Sequence, residues 1–356
     1  MAFFVAPGAL NTQATSLRAL ADAAPGANSY LTEHLTLDFI DTSFLFAKAL
    51  DAANQTRDAI SPYLTALQTA LDASADELDA TALDYVNTDD SSEAALDAAY
   101  PEIVERDAPM TPPSNQSVYT VPAAPGDALV TPGQEPELDL VSTILTTDWL
   151  SPSSLVAQLL DFLFDWNYLE VISKNFSGDW NRLYEVTHAL QHLSAFHTAQ
   201  ADNVTYAMSV SASSWSGNAA DAANAFFTES ARLLRDAATE ISELAPEFEA
   251  VARGMRDTAD AVGGIFAQIM DAAIAAAFFY AAGTVLVETV VGTIIGYLAG
   301  TGILAYMAWL AHQAWEVIQT ALLIFDLLGA ATGVLAQFFA GGADLPLPVA
   351  YDNPEV

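Results

Sequence analysis

The sequence predicts an all-α protein in which helical hairpins form a four-helix-bundle-like core, followed by an apolar C-terminal helical region. Three observations predict this class. Alanine-rich stretches repeat apolar residues at steps of three and four, the spacing of one helix face. A coiled-coil-like seam of apolar residues runs from 234 to 255. The stretch from 261 to 340 carries very few charged residues, although the chain as a whole is strongly acidic.

Composition excludes several classes of partner and chemistry. The 356 residues include 45 Asp+Glu against 10 Lys+Arg, for a formal net charge of −35. That charge would repel phosphates, so it argues against binding to nucleic acid and against electrostatic attachment to anionic lipid. The absence of cysteine excludes disulfides and thiolate chemistry. No basic residue precedes Arg18, which disfavours a conventional secretory signal peptide, so any export is expected to use another route.

Residues 1–100 are predicted to form a first helical region, a hairpin or a small helical array. Pro25-Gly26 is expected to break its early helical stretch. Ser61-Pro62 is expected to start a long helix, because serine caps a helix and proline fits the first turn. One face of that helix then carries, in steps of three and four, Leu64, Leu67, Leu71, Ser74, Leu78, Thr81 and Tyr85.

Residues 101–140 contain eight prolines and no periodic pattern, which predicts an extended and exposed linker. Residues 141–260 are predicted to contain an apolar helix starting near Ser151-Pro152 and then a second hairpin. The first helix of this hairpin is expected from about 179 to 211. Pro246 lies inside the second helix and is expected to kink it near Ser242. The seam of this helix consists of Leu234, Ala237, Ile241, Leu244, Phe248, Val251 and Met255.

Residues 261–340 form the apolar region and residues 341–356 a tail. No Asp, Glu, Lys or Arg occurs from 272 to 287 or from 289 to 315. Because a bilayer span needs about 20 apolar residues, this region has room for two to three spans. A stripe of small residues that lets helices approach closely is formed by Gly292, Gly296 and Gly300.

Residues 213–219, SSWSGNA, are predicted to form the turn of the second hairpin. Gly217 can adopt a positive φ at little cost, and Trp215 offers a large apolar body with one N–H donor. Asp221 would lie in the first turn of the next helix, where the helix dipole favours a carboxylate. The pattern predicts a tight turn with an aromatic anchor.

A hairpin with Trp215-Ser216-Gly217 in its turn resembles the WXG superfamily, which actinobacteria export through type VII (ESX) secretion systems. The run GDWNRLYEV…SSWSGNAADAANAFF looks like the WXG-type domains of longer substrates. The first region resembles the EspC-like family of ESX-secreted proteins. In that family a long helix ends in a tyrosine followed four residues later by an acid, here Tyr85 and Asp89 in ALDYVNTDD.

The resemblance implies a protein that is secreted or associated with the cell envelope, with the secretion machinery as a partner. A homo-oligomer or a helical partner protein is a further candidate. In heterodimers of such families the two motifs come from different chains and meet at one end of a four-helix bundle. We therefore expect this chain to combine both roles. The residues expected to act in export recognition are Trp215, Gly217, Tyr85 and Asp89.

No pattern predicts an enzyme, a cofactor site or a metal site. His188 and His192 are four residues apart, a spacing that can bind a metal. Residue 189 is alanine, however, so the HExxH pattern is absent, and both histidines are expected on a water-facing side. His197 is expected to be buried, and His34 to be isolated.

The apolar region allows two interpretations. It resembles the channel part of WXG-linked channel and toxin proteins, which implies insertion into a membrane or its permeabilisation after export. The alternative is a soluble oligomeric structural or chaperone-like helical protein in which the region is buried as core. Carboxylates interrupt the region without a nearby Lys or Arg in the sequence, and an unpaired carboxylate is costly in lipid. The candidate pore or water-facing residues are Glu288, His312 and Glu316, and Asp326 is a further interruption.

Overall fold

The structure, a computed structural model, describes residues 4–37, 43–99, 122–133, 139–144, 172, 174–285 and 290–340. The class is all-α, as predicted. The helices are α1 (Pro7–Leu35), α2 (Phe44–Ala99), α3 (Leu140–Ile144), α4 (Asn181–Ser211), α5 (Asn218–Val285) and α6 (Val290–Ala340). A 3-10 helix spans Pro125–Ala128, and two short strands, β1 (Phe4–Val5) and β2 (Trp215–Ser216), pair with each other.

The first hairpin, α1 and α2, contains two prolines that were expected to mark helix boundaries. That expectation is wrong, because α1 continues through Pro25 and α2 continues through Pro62. A proline inside a helix removes one backbone hydrogen bond. Here the apolar face is buried on both sides of each proline, for example at Leu20 and Leu31 in α1. Continuous burial of the face therefore outweighs the local cost.

The second hairpin, α4 and α5, follows its prediction closely at the start. α4 spans Asn181–Ser211, and all seven seam residues of α5 are buried. α5 then continues through Pro246 and past residue 260, where a domain boundary was predicted, to Val285. At 1.5 Å per residue a helix of this length extends roughly 100 Å. The apolar region thus begins inside the helix that carries the seam.

The helices of the two hairpins, α1, α2, α4 and α5, bury two clusters of apolar side chains, and α6 contributes to one of them. The main cluster joins the second half of α1 and the first half of α2 to α4, α5 and α6. The turn-end cluster joins the first half of α1 and the second half of α2 to the α4–α5 turn. We define it by its buried members, which include Leu10, Leu17, Leu71, Leu78, Val204, Trp215 and Phe227.

Helix α6 folds back along α5 and packs on the bundle. Ile318, Phe325 and Leu328 belong to the main cluster, while Met307 and Leu310 pack with α5 in a separate small cluster. Asp326 was expected to lack a cation nearby, and this is corrected by Lys48 of α2, whose Nζ lies 3.9 Å from the Asp326 carboxylate. The described part of α6 is therefore attached to both α5 and α2.

The described part of the proline-rich linker, residues 122–133, is largely exposed, as expected, but it is hydrogen-bonded to the bundle. Pro125 is buried. The side chain of Asn203 donates to the carbonyl of Ala123 at 2.9 Å, and the Tyr30 hydroxyl donates to the carbonyl of Val130 at 2.7 Å. These bonds join the segment to α4 and α1. The apolar helix predicted near residue 151 lies outside the described residues.

Gly178, just before α4, provides a test of the packing that joins the two hairpins. Its φ is +141°, and a Cβ there would lie 2.5 Å from Cγ of the buried Phe46. We expect Gly178→Ala to lower the free energy of unfolding by about 1–3 kcal/mol, because both the backbone and the Phe46 contact would be strained. Urea denaturation measures this change.

Gly264→Ala is the matched control. Gly264 lies in α5, and a Cβ there would meet nothing within 4 Å. Alanine should raise the free energy of unfolding by about 0.5–1 kcal/mol, because it restricts the unfolded chain. Equal urea midpoints for the two variants would contradict the described packing around Gly178.

Candidate functional site

The turn between α4 and α5 has the compact geometry that its sequence predicts. After α4, the amide of Ser214 donates to the carbonyl of Ser211 at 2.8 Å. The chain then runs through β2 into Gly217, whose φ is +123°. Only glycine adopts this conformation cheaply, so the residue lets the chain change direction within one position. Asp221 lies in the first turn of α5, as predicted, and its amide donates to the carbonyl of Gly217.

The N-terminal segment adds a strand to this turn. Phe4 pairs with Ser216 and Val5 with Trp215 in antiparallel register, and the amide of Ala6 donates to the carbonyl of Ser214 at 2.7 Å. Sequence reasoning missed this pairing. The available signal was a short apolar run of strand-forming residues directly before a proline that begins a helix.

Trp215 and Tyr85 contribute to the same cluster although they lie far apart in sequence. Trp215 is 5% exposed and belongs to the turn-end cluster, and Tyr85 is half-buried and packs against that cluster. Asp89 lies in α2, one helical turn beyond Tyr85. The side chain of Asp89 lies outside the described part of the chain. The fold thus brings the Trp-x-Gly turn and the tyrosine motif to one end of the bundle.

A polar cluster lies between α1 and α4. His192 Nδ1 is 2.7 Å from the Tyr30 hydroxyl, and the His34 ring packs edge-on against Tyr30 with centroids 4.4 Å apart. His188 and His192 are half-buried rather than water-facing, and His34 is buried rather than isolated, so both expectations are corrected. Burial lowers the pKa of His34 and of His192, which favours the neutral rings.

These histidines do not form a recognisable metal centre. Within the described residues, no group of three or more His, Cys, Asp or Glu side chains could hold a metal ion. The arrangement that the structure describes is a hydrogen-bonded packing cluster that fixes the linker segment at Val130.

A second buried polar group lies where the end of α6 meets the bundle. His197 is fully buried, as predicted, and its ring lies 5.5 Å from that of Tyr63. The ring of Phe339 in α6 lies 4.9 Å from that of Tyr63. The two ring nitrogens of His197 and the Tyr63 hydroxyl have no hydrogen-bond partner among the described residues. Such groups cost about 1–3 kcal/mol each, so α6 ends on an imperfectly satisfied part of the core.

One side of α6 is exposed although much of it is apolar. We call this the outer face of α6, and its large exposed side chains are Tyr306, Trp309, Trp315, Leu323, Leu327 and Val334. His312 and Glu316 lie on the exposed side too, with Nε2 and Oε1 3.3 Å apart, and Gln313 donates to Glu316 at 3.2 Å. Both residues therefore face water in this structure.

Within the described residues, two segments, Ala219–Ala276 and Gly302–Ala340, are long and apolar enough to cross a membrane by length and composition alone. Core helices of soluble proteins satisfy the same criteria. In the second segment, however, only 22% of the most apolar window is buried, so most of that window lies on the surface. Gly292, Gly296 and Gly300 belong to α6, but the contacts of this stripe, like Glu288, lie outside the described part.

The fold and this site define an all-α helical bundle in which two hairpins share one core at the Trp-x-Gly turn. Comparisons of the chain with protein-family models, with curated proteins and with solved structures gave no match in any of the three.

His197 makes the stability of the fold depend on pH. Burial lowers the pKa of His197 to about 3, whereas an unfolded histidine titrates near pH 6.5. The unfolded state therefore binds more protons below pH 6.5, and the stability from the neutral ring is lost as the pH falls from about 6.5 towards 3. Relative to His197→Leu, the wild type should lose about 3 kcal/mol between pH 7 and pH 4, measured by urea denaturation.

Gln200→Leu is the control, because Gln200 is a buried polar residue of the same helix that does not titrate. Its carboxamide donates to the carbonyl of Leu20, so the variant should be destabilised. The difference from the wild type should nevertheless stay constant with pH. If the difference in the free energy of unfolding between His197→Leu and the wild type also stays constant with pH, His197 is not the source of the acid sensitivity.

Proposed function

We propose that this chain is a substrate of a type VII (ESX) secretion system that acts after export by assembling at a membrane. One observation carries the export part: Trp215 and Tyr85 contribute to the same cluster at one end of the bundle. In the families that the sequence resembles, the Trp-x-Gly and tyrosine motifs come together from two chains. A single chain that unites them would present a complete recognition surface without a partner.

The composition of this surface supports the proposal. Gly217 has the positive φ that lets Trp215 turn inward, and Asp89 follows Tyr85 by one helical turn. The described end of the bundle thus combines a rigid turn with a tyrosine on a regular helix. We infer that the secretion machinery reads the tyrosine and the acid from α2 while the turn fixes their position.

Export is tested by the amount of secreted protein in an actinobacterium with an ESX system, compared with a strain that lacks it. Tyr85→Ala should reduce secretion by about tenfold or more, equivalent to ~1.4 kcal/mol of recognition. Tyr85 is only half-buried, so the variant is expected to stay folded. Tyr85→Phe removes the hydroxyl and keeps the ring, so it shows which of the two groups secretion requires.

Tyr351→Ala is the matched control, because Tyr351 and Glu355 form a second match to the same spacing in the tail. We interpret this match as coincidental, so the control should be secreted normally. Secretion that is independent of the ESX system, or equally reduced in both variants, would overturn the export proposal. Urea midpoints of the purified variants show whether a loss of secretion results from unfolding of the variant.

The membrane part of the proposal rests on the outer face of α6. Its exposed Leu323, Leu327 and Val334 lie at helical spacing, and Trp309 continues the same side towards the start of the helix. Exposed apolar surface of this extent is typical of interaction sites. The chain carries 45 Asp+Glu against 10 Lys+Arg, so its net charge disfavours attraction to anionic lipid. We therefore expect apolar contact with uncharged or zwitterionic lipid.

A soluble oligomer is the second candidate, and the same helix favours it by a different observation. Ile318, Phe325 and Leu335 of α6 are buried against the chain's own bundle, which is the behaviour of a core helix. In this case a second copy, rather than lipid, would cover the exposed leucines of α6. The two candidates therefore differ in whether lipid or a second copy of the chain contacts the outer face of α6.

Dye release from phosphatidylcholine vesicles separates the candidates. Leu327→Glu should reduce leakage by about tenfold or more, because a carboxylate at this site would have to enter lipid. Leu83→Glu is the matched control: Leu83 is 61% exposed and Leu327 63%, but Leu83 lies on α2. If the protein causes no leakage and forms a discrete oligomer that Leu327→Glu dissociates, the soluble oligomer replaces the membrane candidate. The export proposal is not affected by that result.

A further inference from the structure

An open groove of about 590 Å³ lies between α5 and α6. Its volume is within the range of about 300–1,000 Å³ that is usual for small-ligand pockets. Its apolar lining includes Ala272, Ala275 and Ile303. The polar side chains that line it are Gln268, Asp271 and Tyr306. These three residues are exposed, so a ligand can reach them from solvent.

Two neighbouring aromatic rings extend from the groove onto the surface of α6. Tyr306 is 44% exposed and Trp309 is 54% exposed. Their ring centroids lie 5.8 Å apart and their planes are inclined by 21°, so the rings are nearly parallel. The Tyr306 hydroxyl donates to Gln268 Oε1 at 3.2 Å, which ties this ring to α5 across the groove. The groove therefore has an exposed aromatic surface that is already held in position.

The groove has a negative charge that its own helices do not neutralise. Among the side chains that line it, only Asp271 is charged at neutral pH. Neither α6 nor the part of α5 beyond Arg256 contains Lys or Arg. His312 of α6 is paired with Glu316 instead. A cation that enters the groove would therefore supply the missing positive charge, whereas Asp271 would repel an anion.

The lining also selects the kind of cation. The negative face of an aromatic ring attracts positive charge, as a carboxylate does. An ammonium or guanidinium group brings several N–H donors that each need an acceptor. The groove offers few acceptors beyond Asp271, because its walls are mainly apolar and Gln268 Oε1 already accepts from Tyr306. A quaternary ammonium carries the same charge without any N–H, so it fits this lining best.

The position of the groove indicates the source of such a group. Trp309 belongs both to this aromatic surface and to the outer face of α6. Tyr and Trp side chains are enriched at the boundary between lipid and water, where lipid headgroups lie. We propose that the α5–α6 groove binds the choline headgroup of a zwitterionic lipid, with Tyr306 and Asp271 contacting the quaternary ammonium. This inference rests on the membrane part of the proposed function and names the headgroup that meets α6.

The test is saturation-transfer NMR of the full-length protein with glycerophosphocholine, observed at its N-methyl protons. This soluble probe carries the headgroup without acyl chains, so its binding is measured separately from vesicle leakage. We expect saturable binding that is about fivefold or more tighter than that of glycerophosphoethanolamine, which has the same charge but carries N–H donors. Glycerol 3-phosphate, which lacks the cation, should not bind.

Tyr306→Leu and Asp271→Asn should each weaken binding by about fivefold or more, because each removes one attraction for the cation. Asp260→Asn, at an exposed acid of α5 outside the groove, is the matched control and should bind normally. Gly302→Leu should abolish binding, because a Cβ at Gly302 meets nothing within 4 Å and the side chain would fill the groove. Gly329→Leu is its control, since Gly329 has equally open surroundings on α6 but does not line the groove.

Three results would overturn the proposal. The first is the absence of saturable glycerophosphocholine binding. The second is unchanged affinity in Tyr306→Leu and Asp271→Asn proteins whose urea midpoints show that they are folded. The third is tighter binding of a peptide that carries trimethyllysine or arginine, which would assign the groove to a protein partner. Saturable headgroup binding without leakage of phosphatidylcholine vesicles supports the groove and contradicts the membrane part of the proposed function, whereas leakage without headgroup binding does the reverse.

Discussion

The fold depends on the burial of one hairpin against the other along their whole contact. Each long helix of the bundle has an apolar face, and none of these faces can be covered within its own helix. The α1–α2 face meets the α4–α5 face in two clusters, the main cluster and the turn-end cluster. Everything proposed for the Trp-x-Gly turn follows from this packing, because it brings the second half of α2 beside the turn.

Much of the bundle was predictable, because helix faces leave a periodic pattern in the sequence. The stripe from Leu64 to Thr81 and the seam from Leu234 to Met255 are both buried as expected. The helix boundaries at Pro25 and Pro62 were not predictable, because tertiary burial overrode a local signal. The pairing of Val5 with Trp215 was also missed, since a two-residue strand gains its partner only when distant segments have already met.

The polar features of the site illustrate a further limit of sequence patterns. A helical wheel assigns residues to sides of one helix, but it does not say which neighbour covers each side. His192 was therefore placed in water, whereas α1 supplies Tyr30 as its partner. Asp326 was considered unpaired for the same reason, because Lys48 is distant in sequence and near in space. Helix α6 is half core and half surface, which neither interpretation of the apolar region anticipated.

The short strand pairing at the N-terminus has a practical consequence for handling the protein. The backbone of residues 4–6 is bonded to residues 214–216, so this segment is fixed beside the Trp-x-Gly turn. Any affinity tag or fluorescent label fused ahead of Phe4 would be held next to Trp215 and would crowd that end of the bundle.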